Sequence, residues 1–206
     1  MDTWIRRSFT SAGLTQIPPG PHLGALQDRF GGTVVLCIDV SGSMTGTPLA
    51  EAVRGARQFV AEAVAAHYKI GVILWDTGVA ALAEPAPDAL AATAVLDRAH
   101  IHGGTDLLPA LIRCHQILDD FTGDRVVAVF GDGDLGPARD VVLDRVARMK
   151  AENIRFVTRG LGPSAAREFG EISDEDPSSA AIDNVADLAD SIAGMATSLN
   201  RHGLTR

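Results

Sequence analysis

The stretch Thr33-Val34-Val35-Leu36-Cys37-Ile38-Asp39-Val40-Ser41-Gly42-Ser43-Met44 decides how the rest of the chain is read. Its first half is an unbroken apolar run rich in β-branched residues, the pattern of a strand buried on both faces. Its second half sets a carboxylate and two hydroxyls at alternate positions, where the strand gives way to a turn. These are hard oxygen ligands, suited to a hard divalent cation. One loop supplies too few of them, so other parts of the chain must complete the set.

Outward from this strand the pattern is periodic. Thr47-Pro48 offers an N-cap and a first-turn proline for a helix with Leu49, Val53, Ala56, Phe59, Val60, Ala63 and Val64 on its inner side. Residues 69–75 form a second apolar strand, Asp76-Thr77-Gly78 a turn, and 79–83 an antiparallel edge strand ended by Pro85 and Pro87. Helices follow at 88–100 and 106–118, a third long strand at 125–130 and a helix at 139–151. A strand at 154–161 stops at Gly162-Pro163; a short helix at 165–172, a strand at 180–183 and a closing helix at 185–199 complete the series.

Buried strands alternating with amphipathic helices predict an α/β domain: a doubly wound, mostly parallel sheet with one antiparallel edge strand and helices on both faces. The domain is expected over residues 31–200, between an N-terminal extension, 1–30, and a short tail, 201–206. The extension holds Arg6, Arg7 and Pro18-Pro19-Gly20-Pro21, a stiff segment that joins neither a helix nor a central strand. It reads as an arm packed loosely on the surface.

Composition narrows the function classes. With 206 residues, 46% apolar and 21% charged, the chain buries a full core as one domain. A net charge of -8 without a Lys/Arg-rich block gives no footprint for nucleic acid or an anionic membrane surface. No apolar run approaches the roughly 20 residues of a membrane span, and residues 1–20 lack a signal-type apolar core, so a cytoplasmic protein is expected. Cys37, in a strand, and Cys114, in a helix, read as small buried hydrophobes, not as a disulfide or a metal pair.

In a sheet of this kind ligands bind beyond the carboxyl ends of the strands, where the strand order reverses. Asp39 closes the first strand on that edge. Asp132, in Phe130-Gly131-Asp132-Gly133-Asp134, closes another, and the loop His102-Gly103-Gly104-Thr105-Asp106 offers a third hydroxyl. Three loops with the same chemistry converge on one edge.

On these residues the chain resembles a von Willebrand factor type A domain with a metal-ion-dependent adhesion site. That family has a D-x-S-x-S loop after the first strand, a Thr in a later Gly-rich loop, and an Asp after a later apolar strand. Asp39, Ser41, Ser43, Thr105 and Asp132 match it position by position. D-x-S-x-S alone arises by chance in about one in twenty-five chains of this length; the combination with the other two loops is far more specific. The resemblance implies a Rossmann-like fold and an Mg2+ or Mn2+ ion. The two serines would bind directly, and the aspartates directly or through water, with Asp132 acting mainly through water. One position stays open for an Asp or Glu of a partner protein. Compact intracellular bacterial members of the family work beside AAA+ ATPases or in stress-response and conflict systems, so a non-enzymatic adaptor is expected.

The bland alternative is that these Ser and Asp residues cap turns after strands, or that a degenerate site merely stabilises the fold. Asp106 reads as the N-cap of the following helix, Asp134 as a neighbour of the site, His102 as a solvated loop residue at the rim, and Trp75 as core. His67, His100 and His115 lack metal-type spacing with one another, and Asp174-Glu175-Asp176-Pro177 reads as a solvated acidic loop. The competing enzymatic reading is a magnesium phosphotransferase of haloacid-dehalogenase-like type. That chemistry needs a second acid two residues after Asp39, where Ser41 stands, and no nearby base is visible in the sequence.

Overall fold

A computed structural model describes residues 31–133, 135–176 and 181–200 of the chain. The arm 1–30, the tail 201–206, Asp134 and Ala180 lie outside the described residues. Among the described residues there are six strands, β1 (Thr33–Asp39), β2 (Lys69–Trp75), β3 (Val79–Ala86), β4 (Arg125–Gly131), β5 (Ile154–Leu161) and β6 (Ala181–Ile182). They form one sheet in the order β3-β2-β1-β4-β5-β6. Every pairing is parallel except β2 with β3. The helices are α1 (Thr47–Ala65), α2 (Leu90–Leu96), α3 (Leu108–Asp119), α4 (Arg139–Ala151), α5 (Pro163–Ile172), α6 (Leu188–Gly194) and α7 (Thr197–Asn200).

The alternation along β1 divides the core. Val34, Leu36 and Ile38 pack with Phe59 of α1, Leu96 of α2 and Ile192 of α6 on one face. Val35 and Cys37 pack with Leu111 of α3, Met149 of α4 and Phe169 of α5 on the other. Every residue of β1 is buried, which is why its sequence shows no polar alternation. From β1 the chain builds outward to β2 and β3, then returns to β4 on the other side of β1. The strand order therefore reverses at β1 and β4, and their carboxyl ends flank the crevice.

Several expectations are corrected. Gly46, at φ 85°, is the N-cap of α1, and Thr47 is its first helical residue. Strand β3 continues through Pro85 to Ala86. Pro85 is tolerated because β3 is an edge strand, and the ladder shifts between Ile70 and Val72 so that two residues face Gly71. A Cβ at Gly71 would come 3.0 Å from the Ala83 carbonyl, so the bulge needs glycine there. The helix expected over 88–100 is confined to Leu90–Leu96. The closing helix is broken into a 3-10 turn at Val185–Asp187, then α6 and α7. The break follows Gly194, a weak helix former, whose carbonyl accepts from the Thr197 hydroxyl at 2.8 Å. Among the described residues no helix is long and apolar enough to cross a membrane.

Candidate metal centre

Asp39 is the last residue of β1, and the chain then turns through a 3-10 segment, Gly42–Met44. Buried Val40 and Met44 pin this turn to the core from both sides of Ser41. The Ser41 N–H donates to Asp39 Oδ1 at 2.8 Å. Ser41 Oγ lies 3.1 Å from Ser43 Oγ, and the Ser43 hydroxyl donates to Asp132 Oδ1 at 2.7 Å. Four of the five residues singled out in the sequence thus form one chain of contacts, 89 residues apart at its final link.

Thr105 joins them through the Asp132 loop: a Cβ at Gly133 would stand 3.4 Å from Thr105 Oγ1. The Gly103 carbonyl borders the β1 turn, 3.8 Å from where a Cβ at Gly42 would be. The three loops meet, with Asp39 and Ser41 buried at the bottom, Thr105 and Asp132 half-buried, and Ser43 exposed.

Asp39 is the electrostatic problem of this site. It is fully buried, and its Oδ2 has no hydrogen-bond partner among the described residues. Burial pushes its pKa up to about 6, against weaker lowering by the Ser41 N–H and hydroxyl and the Asp132 N–H; the Asp132 carboxylate adds to the rise. A Cβ at Gly131 would come 2.9 Å from Asp39 Oδ2 and 3.0 Å from the Phe169 ring, so glycine keeps the space over that oxygen open. A buried carboxylate with an unused oxygen, two hydroxyls and a second carboxylate beside it form an all-oxygen donor set. That set fits a hard divalent cation.

The neighbours behave differently from expectation. Asp106 does not occupy the cap position of α3, which is Leu107, but its Oδ1 accepts from the Leu108 N–H at 3.0 Å and so still steadies the start of the helix. His102 is not a free loop residue: its Nδ1 lies 2.5 Å from Oδ2 of Asp76, a buried carboxylate. Asp76 is the residue sequence reasoning missed. In the sequence it reads as turn chemistry, although Trp75 pairs with Asp39 in register and so places Asp76 on the same sheet edge.

A model of the von Willebrand factor type A domain family matches residues 34–134, a span that holds all five residues of the site. Residues 34–134 belong to the von Willebrand factor type A family. Solved structures share its fold. The vWF domain of the type V pili tip protein Mfa5 from Porphyromonas gingivalis aligns at a TM-score of 0.72 and 12% identity, over 85% of this chain and 97% of that one. A von Willebrand factor type A protein from Catenulispora acidiphila aligns at 0.68 and 19% identity over 82% of this chain, which spans 42% of that protein. The pilus adhesin SpaC from Lactobacillus rhamnosus GG, in an open conformation, aligns at 0.67 and 12% identity, over 82% of this chain and 30% of SpaC. No curated protein matches the sequence.

Away from the crevice this type A domain gathers a second cluster. His115 and Asp119 of α3 and Glu152 after α4 bring potential ligand atoms within 4.8 Å of one another. The histidine spacing gave no sign of it, because its other members are carboxylates. Its chemistry points to a hydrogen-bonded chain of side chains instead. Arg145 Nη1 lies 3.1 Å from His115 Nδ1 and only donates, so in the neutral ring the proton sits on Nε2, 2.6 Å from Glu152. A metal at Nε2 would have to displace that proton and the Arg145 contact.

The two cysteines lie closer than expected. Both are buried and free, with Cys37 Sγ 3.3 Å from Cys114 Sγ, joining β1 to α3. Trp75 is core, as read from the sequence.

Proposed function

We propose that this type A domain is a non-enzymatic adaptor that captures an Asp or Glu of a partner protein through a divalent cation, Mg2+ or Mn2+, held by Asp39, Ser41, Ser43, Thr105 and Asp132. The observation that carries the reading is the buried Asp39 carboxylate, whose Oδ2 lacks a partner among the described residues and faces the space kept open by Gly131. Ionising such a group costs free energy unless a positive charge meets it. Asp39 and Asp132 would neutralise a divalent charge, while the Ser and Thr hydroxyls add neutral oxygens. When bound, the cation would supply an electrophilic position for an outside carboxylate oxygen. In this reading Ser43 exchanges its hydrogen bond to Asp132 for a role as ligand, and Asp132 acts mainly through water.

The partner is a protein, not a nucleic acid or a membrane, in keeping with the net charge of -8. On the resemblance to compact intracellular bacterial members, the setting is the cytoplasm, beside an AAA+ ATPase or within a stress-response or conflict system. The phosphotransferase alternative is not favoured, since position 41 is a serine whose hydroxyl faces Ser43. The test is capture of the partner with the full chain as bait. Binding should be lost with EDTA and in Ser41→Ala; capture that survives both would place the contact on another face.

A further inference from the structure

One residue holds the Gly-Gly-Thr loop at both ends. At its start, His102 Nδ1 lies 2.5 Å from Asp76 Oδ2. At its end, the Asp106 N–H donates to the Asp76 carbonyl at 2.7 Å. The remaining carboxylate oxygen, Oδ1, accepts from the Gly78 N–H at 2.7 Å. The Asp76 side chain is only 6% exposed, and a carboxylate so buried needs a donor on each oxygen. Since a carboxylate only accepts, the imidazole donates from Nδ1 and its orientation is fixed.

The same loop is tied to the β1 turn. The His102 N–H donates to the carbonyl of Val40, between Asp39 and Ser41, at 2.7 Å. Gly103, at φ 52°, lies against the Asp76 carboxylate, where a Cβ would come 2.7 Å from Oδ2. Gly104 lies against Thr77, whose Cγ2 would be 3.3 Å from a Cβ there. Both glycines let the loop close down on the β2–β3 turn. Thr105 stands between the two anchors and next to the second.

We propose that Asp76 and His102 are positioning residues for Thr105: their clasp sets where the Thr105 hydroxyl stands and thereby the cation affinity of the site. This rests on the cation-binding reading above. A neutral hydroxyl is a weak ligand, and its contribution depends on being placed in advance by groups that do not themselves touch the ion. A clasp that merely braced the fold would affect stability and leave cation affinity alone.

The experiment compares the full chain with Asp76→Asn, His102→Gln and the double variant, following the thermal midpoint in EDTA and across a MgCl2 titration at fixed pH. The His102 side chain is 61% exposed, so His102→Gln leaves the core intact even if Asp76→Asn folds poorly. Losing a group that orients a ligand typically weakens metal affinity about 10- to 100-fold. The Mg2+ concentration at which the midpoint starts to rise should therefore be about tenfold higher or more in Asp76→Asn, and higher by a smaller factor in His102→Gln. The double variant should resemble Asp76→Asn alone, because the two residues act as one unit. If the wild-type midpoint rises with Mg2+ and the variants' midpoints start to rise at the same concentration, the positioning role is wrong and the cation site stands, whatever happens in EDTA. If the wild-type midpoint ignores Mg2+, the cation reading fails and this proposal with it.

Discussion

Asp39→Asn is expected to stabilise the metal-free protein at neutral pH. Burial raises the Asp39 pKa from 3.8 to about 6. At about 1.4 kcal/mol per pH unit, holding this carboxylate ionised in the fold costs about 3 kcal/mol at pH 7. The sign follows from proton binding. Between about pH 4 and pH 6 the folded state keeps a proton that the unfolded chain has lost, so stability falls as pH rises through this window and levels off above it. An asparagine removes that cost and still accepts from the Ser41 N–H, but its amide NH2 takes the place of an oxygen that lacks a partner among the described residues. That penalty is about 1–2 kcal/mol, which leaves a net gain of about 1–2 kcal/mol at pH 7. Urea unfolding in EDTA at a series of pH values measures it. The gain should shrink to nothing or reverse near pH 4. In Mg2+ at about 100 times its dissociation constant the order should invert, since the wild type gains about 2.7 kcal/mol by mass action and the variant does not. A variant less stable than wild type at pH 7 in EDTA, by an amount independent of pH, would refute the reasoning.

Three further outcomes follow from the packing. Gly131→Ala places a methyl group against Asp39 Oδ2 and the Phe169 ring; it should cost about 1–3 kcal/mol in urea unfolding and abolish the Mg2+-induced rise in midpoint. Arg159→Ala should cost about 2 kcal/mol, because the largely buried guanidinium bonds Glu175 and the Thr158 carbonyl, and Glu175 also takes the hydroxyl of Ser198; denaturant midpoints test this. The Cys37 thiol is raised well above its ordinary range by its hydrogen bond to Cys114 and by burial, and both thiols are buried; neither should react with an aromatic disulfide reagent in the native state, and both should react in urea.

Much of this arrangement was legible in the sequence because it rests on strong local signals. The run Val34 to Ile38 has the composition of a strand covered on both faces, and Asp39 with Ser41 and Ser43 follows it directly. The edge rule for parallel sheets brought Asp132 and Thr105 to the same crevice, and the contacts between loops bear out that convergence. What stayed hidden depends on relations that periodicity does not encode. Asp76 looked like one more turn residue because its partner, His102, lies 26 positions away. Pro85 looked like a strand stop because the bulge opposite Gly71 is a property of two strands together. The closing helix was read as continuous because its apolar spacing persists across Gly194, where the helix stops.

Whether the five residues hold one divalent cation is decided by titration with Mn2+, followed by the EPR signal of the free ion. The wild type should remove one equivalent of Mn2+ from solution, Mg2+ should compete for it, and His115→Ala should bind as well as wild type. Ser43→Ala and Thr105→Ala should bind more weakly, and Asp39→Asn not at all. A wild type that leaves the signal unchanged, or an Asp39→Asn that binds as wild type does, would contradict it.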